Sequence, residues 1–137
     1  MTLEQRGIEM TESMWRTAHA IARELVQRDC DPNEVQKAFV YLRTHRDGER
    51  FFHFLNALVQ HGRFLVRSSR TLDYYKAMLE VSRRHLGAYR SDAGAMQQVL
   101  GWAVRLMRFY MAQESQDPTS GPLSRPQPQQ RQQRRPR

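Results

Sequence analysis

Apolar residues recur at spacings of three and four along most of this chain, and that period is typical of amphipathic α-helices. The pattern is most regular toward the C-terminal third, at Met96, Val99, Leu100, Ala103, Met107, Tyr110 and Met111. Trp102, Leu106 and Phe109 lie on the other sides of the same helix, which is therefore apolar nearly all round. Such a helix is expected either at the centre of a bundle or partly covered by another subunit.

Further helical stretches precede this one, and local signals place their ends. We expect the first helix from about residue 8 to 29, on a stripe that includes Trp15. Residues 31–34 read Asp-Pro-Asn-Glu, in which Asp31 can cap the N-terminus of the second helix. Asp47 with Gly48 is expected to break the second helix, and Gly62 to end the third.

Residues 63–70 are harder to assign, because Phe64, Leu65 and Val66 fit either a short strand or a helical turn. A lone strand would have no pairing partner, so a turn is expected. Ser69 or Thr71 then caps a fourth helix, which Gly87 ends.

Ser91 or Asp92 is expected to cap the fifth helix. Five helices with short connections predict an all-α fold, a compact bundle over residues 1–114. Residues 115–137 hold five of the six prolines, six glutamines and almost no apolar side chains. A segment of that composition cannot bury enough surface to offset its ordering entropy, so we expect a disordered, basic, Gln/Pro/Arg-rich tail.

The positive charge is concentrated in part of the chain. Of the 137 residues, 22 are Lys or Arg and 14 are Asp or Glu, for a formal charge of +8. The net charge is −2 over residues 1–42, +6 over 43–90, zero over 91–114 and +4 over 115–137. Twenty of the 22 cations are arginine, whose planar fork of donors matches phosphate oxygens. Clustered arginine predicts a polyanionic partner.

The cations of the basic stretch are the candidate contacts to RNA or to a single-stranded DNA backbone. They are Arg43, Arg46, Arg50, Arg63, Arg67, Arg70, Lys76, Arg83, Arg84 and Arg90. Arg63, Arg67 and Arg70 form one stripe if their segment is helical. Tyr74, Tyr75 and Tyr89 lie among the cations and are candidates to stack on a base. Because no base-reading motif accompanies these residues, we expect backbone binding without sequence readout.

Resident catalytic or metal chemistry has little support in the sequence. The five histidines never fall at the spacing of H-E-x-x-H, and a single cysteine cannot complete a thiolate site. Phosphate-binding and nucleophile-elbow motifs are absent. We therefore expect no metal, no cofactor and no enzymatic activity.

One alternative is enzymatic. Arg46 is followed by a polar residue and, seven positions along, by His53. This arrangement resembles the motif of small helical ribonucleases of the HEPN class. In that interpretation His53 serves as acid or base toward a ribose hydroxyl and Arg46 stabilises the charge on phosphorus.

The sequence also bears on location. Cys30 is the only cysteine, so no intrachain disulfide forms and a reduced, cytoplasmic compartment fits best. We expect no signal peptide, because no basic cap precedes an apolar run at the N-terminus. Residues 99–111 are interrupted by Arg105 and Arg108 and are too short to span a bilayer, so no membrane association is expected.

Three stretches carry a resemblance to a known family. They are residues 20–25 (AIAREL), followed by the capped helix at Asp31; residues 63–67 (RFLVR); and the aromatic-ended residues 96–110 (MQQVLGWAVRLMRFY). Their pattern resembles the small helical subunit of CRISPR effector complexes, particularly type III. The basic tail is a departure from that family.

The resemblance implies a non-catalytic, RNA-binding subunit of a ribonucleoprotein assembly in antiviral defence. Its central arginines would face nucleic acid. Its last helix would contact other subunits or further copies of the chain. A second alternative is a protein-interaction adaptor whose basic face meets an acidic partner or keeps the protein soluble.

Overall fold

A computed structural model describes residues 9–65 and 69–116, with side chains over 9–62 and 69–113. These residues form five α-helices and no strand: α1 (Glu12–Gln27), α2 (Pro32–His45), α3 (Gly48–Leu65), α4 (Ser69–Leu86) and α5 (Ala93–Gln116). A short 3-10 turn, Gly87–Tyr89, joins α4 to α5. The predicted all-α, five-helix bundle is confirmed. The tail expected over 115–137 lies, from residue 117 onward, outside the described residues.

Local capping explains where most helices begin. Four helices follow a residue whose side-chain oxygen accepts a hydrogen bond from a backbone N–H two or three positions later. These residues are Thr11, Asp31, Asp47 and Asp92, with distances of 2.9 to 3.1 Å. The predicted caps Asp31 and Asp92 are confirmed. Because Thr11 caps α1 and Asp29 adopts a φ of 57° beyond its end, α1 is shorter than the predicted 8–29.

α5 supplies the largest share of the core, packing against α1 and α2. Its buried side chains are Ala95, Met96, Val99, Leu100, Ala103, Val104 and Met107. The central position expected for this helix is confirmed over that stretch. Farther along, Phe109 is 54% exposed, so the last turns of α5 leave apolar surface uncovered.

Contacts between helices set their relative directions. Trp15 in the first turn of α1 contacts Trp102 in α5. Arg23, farther along α1, contacts Tyr110, farther along α5, so these two helices run parallel. In contrast, Arg108 near the end of α5 donates a 3.1 Å hydrogen bond to Asn33 at the start of α2. α2 therefore runs antiparallel to α5.

Gly62 lies inside α3, which continues to Leu65, so the prediction that Gly62 ends the third helix is wrong. A Cβ at Gly62 would lie 2.9 Å from Leu72 Cδ1 and 3.4 Å from Tyr75 Cδ2, both on α4. The glycine permits α3 and α4 to approach closely. That packing outweighs the cost of about 1 kcal/mol that glycine carries in a helix interior.

The expectation of a helical turn, and not a strand, over residues 63–70 is confirmed for the described residues 63–65 and 69–70, which belong to helices longer than a single turn. Residues 63–65 continue α3, and Ser69 with Arg70 begins α4, while residues 66–68 lie outside the described part of the chain. No glycine or proline interrupts these residues, so the helical backbone continues at both ends. Ser69 and Thr71 both lie within the first turn of α4, so neither is its N-cap. Gly87 follows the last residue of α4, as predicted.

Gly48 brings two turns of the chain together. The predicted break between α2 and α3 is confirmed: α2 ends at His45, and Arg46 takes a left-handed φ of 53°. Gly48 is then the first residue of α3. A Cβ there would lie 2.2 Å from the carbonyl oxygen of Arg90 and 2.8 Å from Met96 Sδ. The α2–α3 turn is thus packed directly on the backbone between α4 and α5.

We expect Gly48→Ala to destabilise the fold by about 1–3 kcal/mol, because the new methyl group overlaps a backbone oxygen that cannot move independently. Gly87→Ala is the matched control, since no heavy atom lies within 4 Å of its Cβ position. That variant should stay within about 0.5 kcal/mol of the parent. Urea unfolding measures both. Equal destabilisation by the two substitutions would contradict the close approach at Gly48.

Candidate nucleic-acid interface and an aromatic face

Four of the predicted phosphate-binding arginines meet where the α2–α3 turn packs on the α4–α5 connection. We call Arg43, Arg46, Arg50 and Arg90 the basic corner. Arg90 is held there by two contacts besides the packing of its backbone on Gly48. Its Nε lies 3.4 Å from Glu49 Oε2, and its guanidinium lies 4.4 Å from the centre of the Phe52 ring.

The other three arginines of the basic corner are positioned by aromatic side chains and by the helix end. Arg50 Nε donates to the Tyr41 hydroxyl at 3.3 Å, and the guanidinium of Arg43 lies 5.4 Å from the centre of the Phe39 ring. Arg46 closes α2, its N–H donating to the carbonyl of Leu42 at 2.8 Å. Contacts with aromatic side chains thus restrict the side chains of Arg43 and Arg50, whereas only the backbone of Arg46 is held.

Two acidic residues, Asp47 and Glu49, lie in the same turn as the basic corner, and both already have partners. The Asp47 carboxylate caps α3 by accepting from the N–H of Arg50, and Glu49 pairs with Arg90. Within the part of the chain that the structure describes, the guanidinium groups of Arg43, Arg46 and Arg50 form no ion pair. All three side chains are exposed, so they are available to an anionic partner.

The other predicted contacts that the structure describes are spread along α4 or are engaged elsewhere in the fold. Arg70 lies in the first turn of α4, and the rest of that helix separates it from the basic corner by about 24 Å. Lys76 is exposed midway along α4. Arg83 donates to Asn56 Oδ1 at 3.5 Å. The side chain of Arg63 and the whole of Arg67 lie outside what the structure describes, so the stripe predicted for Arg63, Arg67 and Arg70 stays a prediction.

Arg84 serves to join α1 to α4. Its guanidinium pairs with the carboxylate of Glu24, which also lies 2.7 Å from His85 Nε2. Burial alone would raise the pKa of Glu24. The hydrogen bond and charge of His85, together with Arg84, outweigh that effect, so the pKa of Glu24 lies below its usual value. Arg84 is therefore engaged within the fold.

This cluster makes stability depend on pH. Since the pKa of Glu24 is lowered on folding, its contribution is present above the ordinary glutamate pKa of about 4.3 and is lost as the pH falls through the lower, folded value. We expect Glu24→Gln to cost up to about 1 kcal/mol near neutral pH. The difference from the parent should shrink in acid.

Urea unfolding at neutral and acidic pH measures this difference. Glu12→Gln is the control, because Glu12 is 83% exposed and pairs only with Arg16 in the neighbouring turn of α1. A difference between parent and Glu24→Gln that does not vary with pH would contradict a stabilising role for the ionised carboxylate.

The tyrosines that the sequence placed among the cations have mainly structural positions. Tyr74, Tyr75 and Tyr89 are half-buried and pack against the core. Tyr75 lines a small cleft with Glu34 of α2, and burial raises the pKa of its hydroxyl. Their rings are therefore poorly placed to stack on a base.

The ribonuclease alternative also has a defined geometry. Arg46 lies just beyond α2 and His53 is exposed on α3. Among the described side chains, the two form no hydrogen bond with each other. The capped start of α3 separates them, so they do not share one helix. The pairing stays a prediction that cleavage assays of His53→Ala can test.

A second candidate surface lies along α1 and α5. The sequence did not predict most of it. We call it the aromatic face: Trp15, His19 and Arg23 on α1, with Trp102, Arg105, Phe109 and Tyr110 on α5. The two tryptophan rings lie 4.7 Å apart between centres, and the guanidinium of Arg105 lies 4.5 Å from the centre of the Trp102 ring. The Tyr110 hydroxyl forms a hydrogen bond with His19 Nδ1.

A partial signal for this face existed in the sequence. Trp102, Arg105 and Phe109 follow one another at helical spacing. The sequence placed Trp102 and Phe109 off the main stripe of α5 and Arg105 only as an interruption of an apolar run. Spacing within one helix does not indicate the contact of Trp102 and Tyr110 with α1.

Cys30 has a structural position. It is buried, and its Sγ lies 3.9 Å from the carbonyl oxygen of Tyr74. Burial, with the nearby charges of Asp31 and Glu34, raises the pKa of its thiol to about 12. The thiol is thus protonated and unreactive at physiological pH.

The described residues contain neither a metal-binding cluster nor a membrane-spanning helix. They contain no cluster of three or more His, Cys, Asp or Glu side chains arranged to hold a metal ion. No helix among them combines the length and apolarity needed to cross a membrane.

Comparison with known proteins adds no further assignment: no family model, curated protein or solved structure matches this chain. The resemblance to the small CRISPR subunit therefore depends on the pattern of helices alone.

Proposed function

We propose that this protein is a non-catalytic subunit that binds the backbone of RNA or single-stranded DNA through the basic corner, as part of a larger ribonucleoprotein assembly. The observation that carries the proposal is the convergence of arginines from two turns distant in sequence. Three of them, Arg43, Arg46 and Arg50, are exposed and have no carboxylate partner among the described side chains.

The chemistry of these side chains suits phosphate. A guanidinium presents several N–H donors in one plane and stays charged at any physiological pH. Phe39 and Tyr41 contact Arg43 and Arg50, so less conformational freedom is lost when phosphate binds. No base-reading motif accompanies these arginines in the sequence, which favours sequence-independent binding.

The proposal also includes membership of a larger assembly and a role in antiviral defence. They are supported by the pattern of five helices with an aromatic-ended final helix, the pattern that the small subunit of type III CRISPR complexes shares. The exposed side chains of Phe109 and Met111 in the last turns of α5 offer apolar surface for a neighbouring protein.

Salt-dependent binding of a labelled single-stranded RNA tests the basic corner. Each lost phosphate contact should reduce the slope of log K against log salt by about 0.7. We expect Arg46→Ala/Arg50→Ala to reduce that slope by about 1.4 and to weaken binding at low salt. Fluorescence anisotropy over a series of salt concentrations measures both quantities.

The matched control is Arg16→Ala/Arg28→Ala, which removes the same charge from α1. Arg16 pairs with Glu12 and Arg28 with Glu80, so neither is available in the way that Arg46 and Arg50 are. Equal slope changes in the two double variants would show that only net charge matters. Absence of binding at low salt, to RNA and to single-stranded DNA, would overturn the proposal.

A further inference from the structure

The aromatic face combines uncovered apolar surface with cations that lack acidic partners. Phe109 is 54% exposed, and Trp15, Trp102 and Leu106 are half-buried. Arg23 and Arg105 form no ion pair with any carboxylate in the described part of the chain. A partner for this face therefore needs both apolar side chains and negative charge.

The positions of both arginines are set by the rings they contact. The guanidinium of Arg105 lies 4.5 Å from the centre of the Trp102 ring, and that of Arg23 lies 6.0 Å from the centre of the Tyr110 ring. Cation–π attraction holds the charged groups at the surface without neutralising them. The face thus presents two fixed positive charges beside an apolar strip along α5.

Nucleic acid suits this face poorly. Stacking of a base requires an unoccupied aromatic ring face. The Trp102 ring is already contacted by Arg105 and Trp15, and the Tyr110 ring by Arg23, His19 and Phe109. Among the described rings of this face, Phe109 is the one left largely exposed, and a single ring gives no platform for stacking successive bases.

Charge also argues against two occupants from this chain, a symmetric second copy and the segment 115–137. A symmetric pair of copies would bring the same surface patch of each subunit together, and with it Arg23 and Arg105 of both copies. The segment 115–137 carries a net charge of +4 and would be repelled as well. Charge complementarity therefore favours an acidic partner.

From this geometry we propose that the aromatic face docks an acidic amphipathic helix of another protein. Its apolar stripe covers Phe109, Leu106 and the edge of Trp102, while carboxylates beside that stripe pair with Arg23 and Arg105. Two parallel helices, α1 and α5, offer the elongated surface on which such a helix lies with anchors at helical spacing. The proposal does not depend on nucleic-acid binding at the basic corner, because different residues carry it.

Intrinsic fluorescence gives a direct measurement, since both tryptophans of the chain belong to this face. The probe is a synthetic, tryptophan-free helical peptide with a leucine stripe flanked by glutamates. Its control is the same peptide with every glutamate replaced by lysine. We expect a saturable change in tryptophan emission with the acidic peptide and none with the basic one.

Matched variants separate docking from general attraction to a basic protein. We expect Arg23→Gln/Arg105→Gln to weaken acidic-peptide binding about tenfold or more. Arg43→Gln/Arg46→Gln removes the same charge at the basic corner and should change affinity less than about threefold. Similar losses in both double variants would overturn the proposal.

Two other outcomes would assign the face to a different occupant and also overturn the proposal. The first is a saturable tryptophan response to single-stranded RNA that Arg23→Gln/Arg105→Gln abolishes. The second is self-association of the full chain in sedimentation equilibrium that Phe109→Ser abolishes. Loss of RNA binding in the basic-corner variants, with peptide binding intact, would separate this proposal from the proposed function.

Discussion

The close approach of Gly48 to the carbonyl of Arg90 is the contact on which the functional geometry depends. It packs the α2–α3 turn on the connection between α4 and α5, at a distance that no side chain would permit. Arg46 and Arg50 flank the first of these turns, and Arg90 belongs to the second. The basic corner exists because two segments distant in sequence meet at a residue without a Cβ.

α5 connects the two surfaces. Its first turns pack beside the basic corner through Met96, and its later turns carry Trp102, Arg105 and Phe109. Guanidinium groups lie over aromatic rings in both surfaces, at Arg43 and Arg90 in the basic corner and at Arg23 and Arg105 in the aromatic face. The surfaces differ in their surroundings, because the exposed apolar ring of Phe109 lies in the aromatic face. That difference is why we propose a polyanion for one surface and a protein for the other.

Features that depend on neighbouring residues in sequence were predictable. Asp31 and Asp92 cap helices because a cap needs only its own side chain and an N–H two or three residues later. The apolar stripe of α5 likewise predicted most of the buried residues of that helix, although Tyr110 is half-buried and Met111 is exposed. Gly62 was assigned wrongly because its role depends on Leu72 and Tyr75 of α4, which local sequence does not place nearby.

In the candidate sites, too, features set by the local sequence were predictable and features set by tertiary contacts were not. The sequence predicted a basic stretch, but Arg84 proved to be paired with Glu24, a residue from the acidic N-terminal part. The contact between the tilted rings of Trp15 and Trp102 joins residues near opposite ends of the described chain and leaves no periodic signal. Such contacts arise from tertiary packing, which the spacing of residues within one helix does not encode.

The central claim is that the basic corner binds the nucleic-acid backbone. It is tested most directly by NMR, by following the backbone amide and tryptophan indole N–H signals during titration with single-stranded RNA. The account predicts shifts concentrated at the basic corner, in residues 43–50 and at Arg90, that disappear as salt is raised. The indole N–H signals of Trp15 and Trp102 should stay unchanged. Shifts concentrated at the two indoles, with the basic corner unaffected, would contradict it.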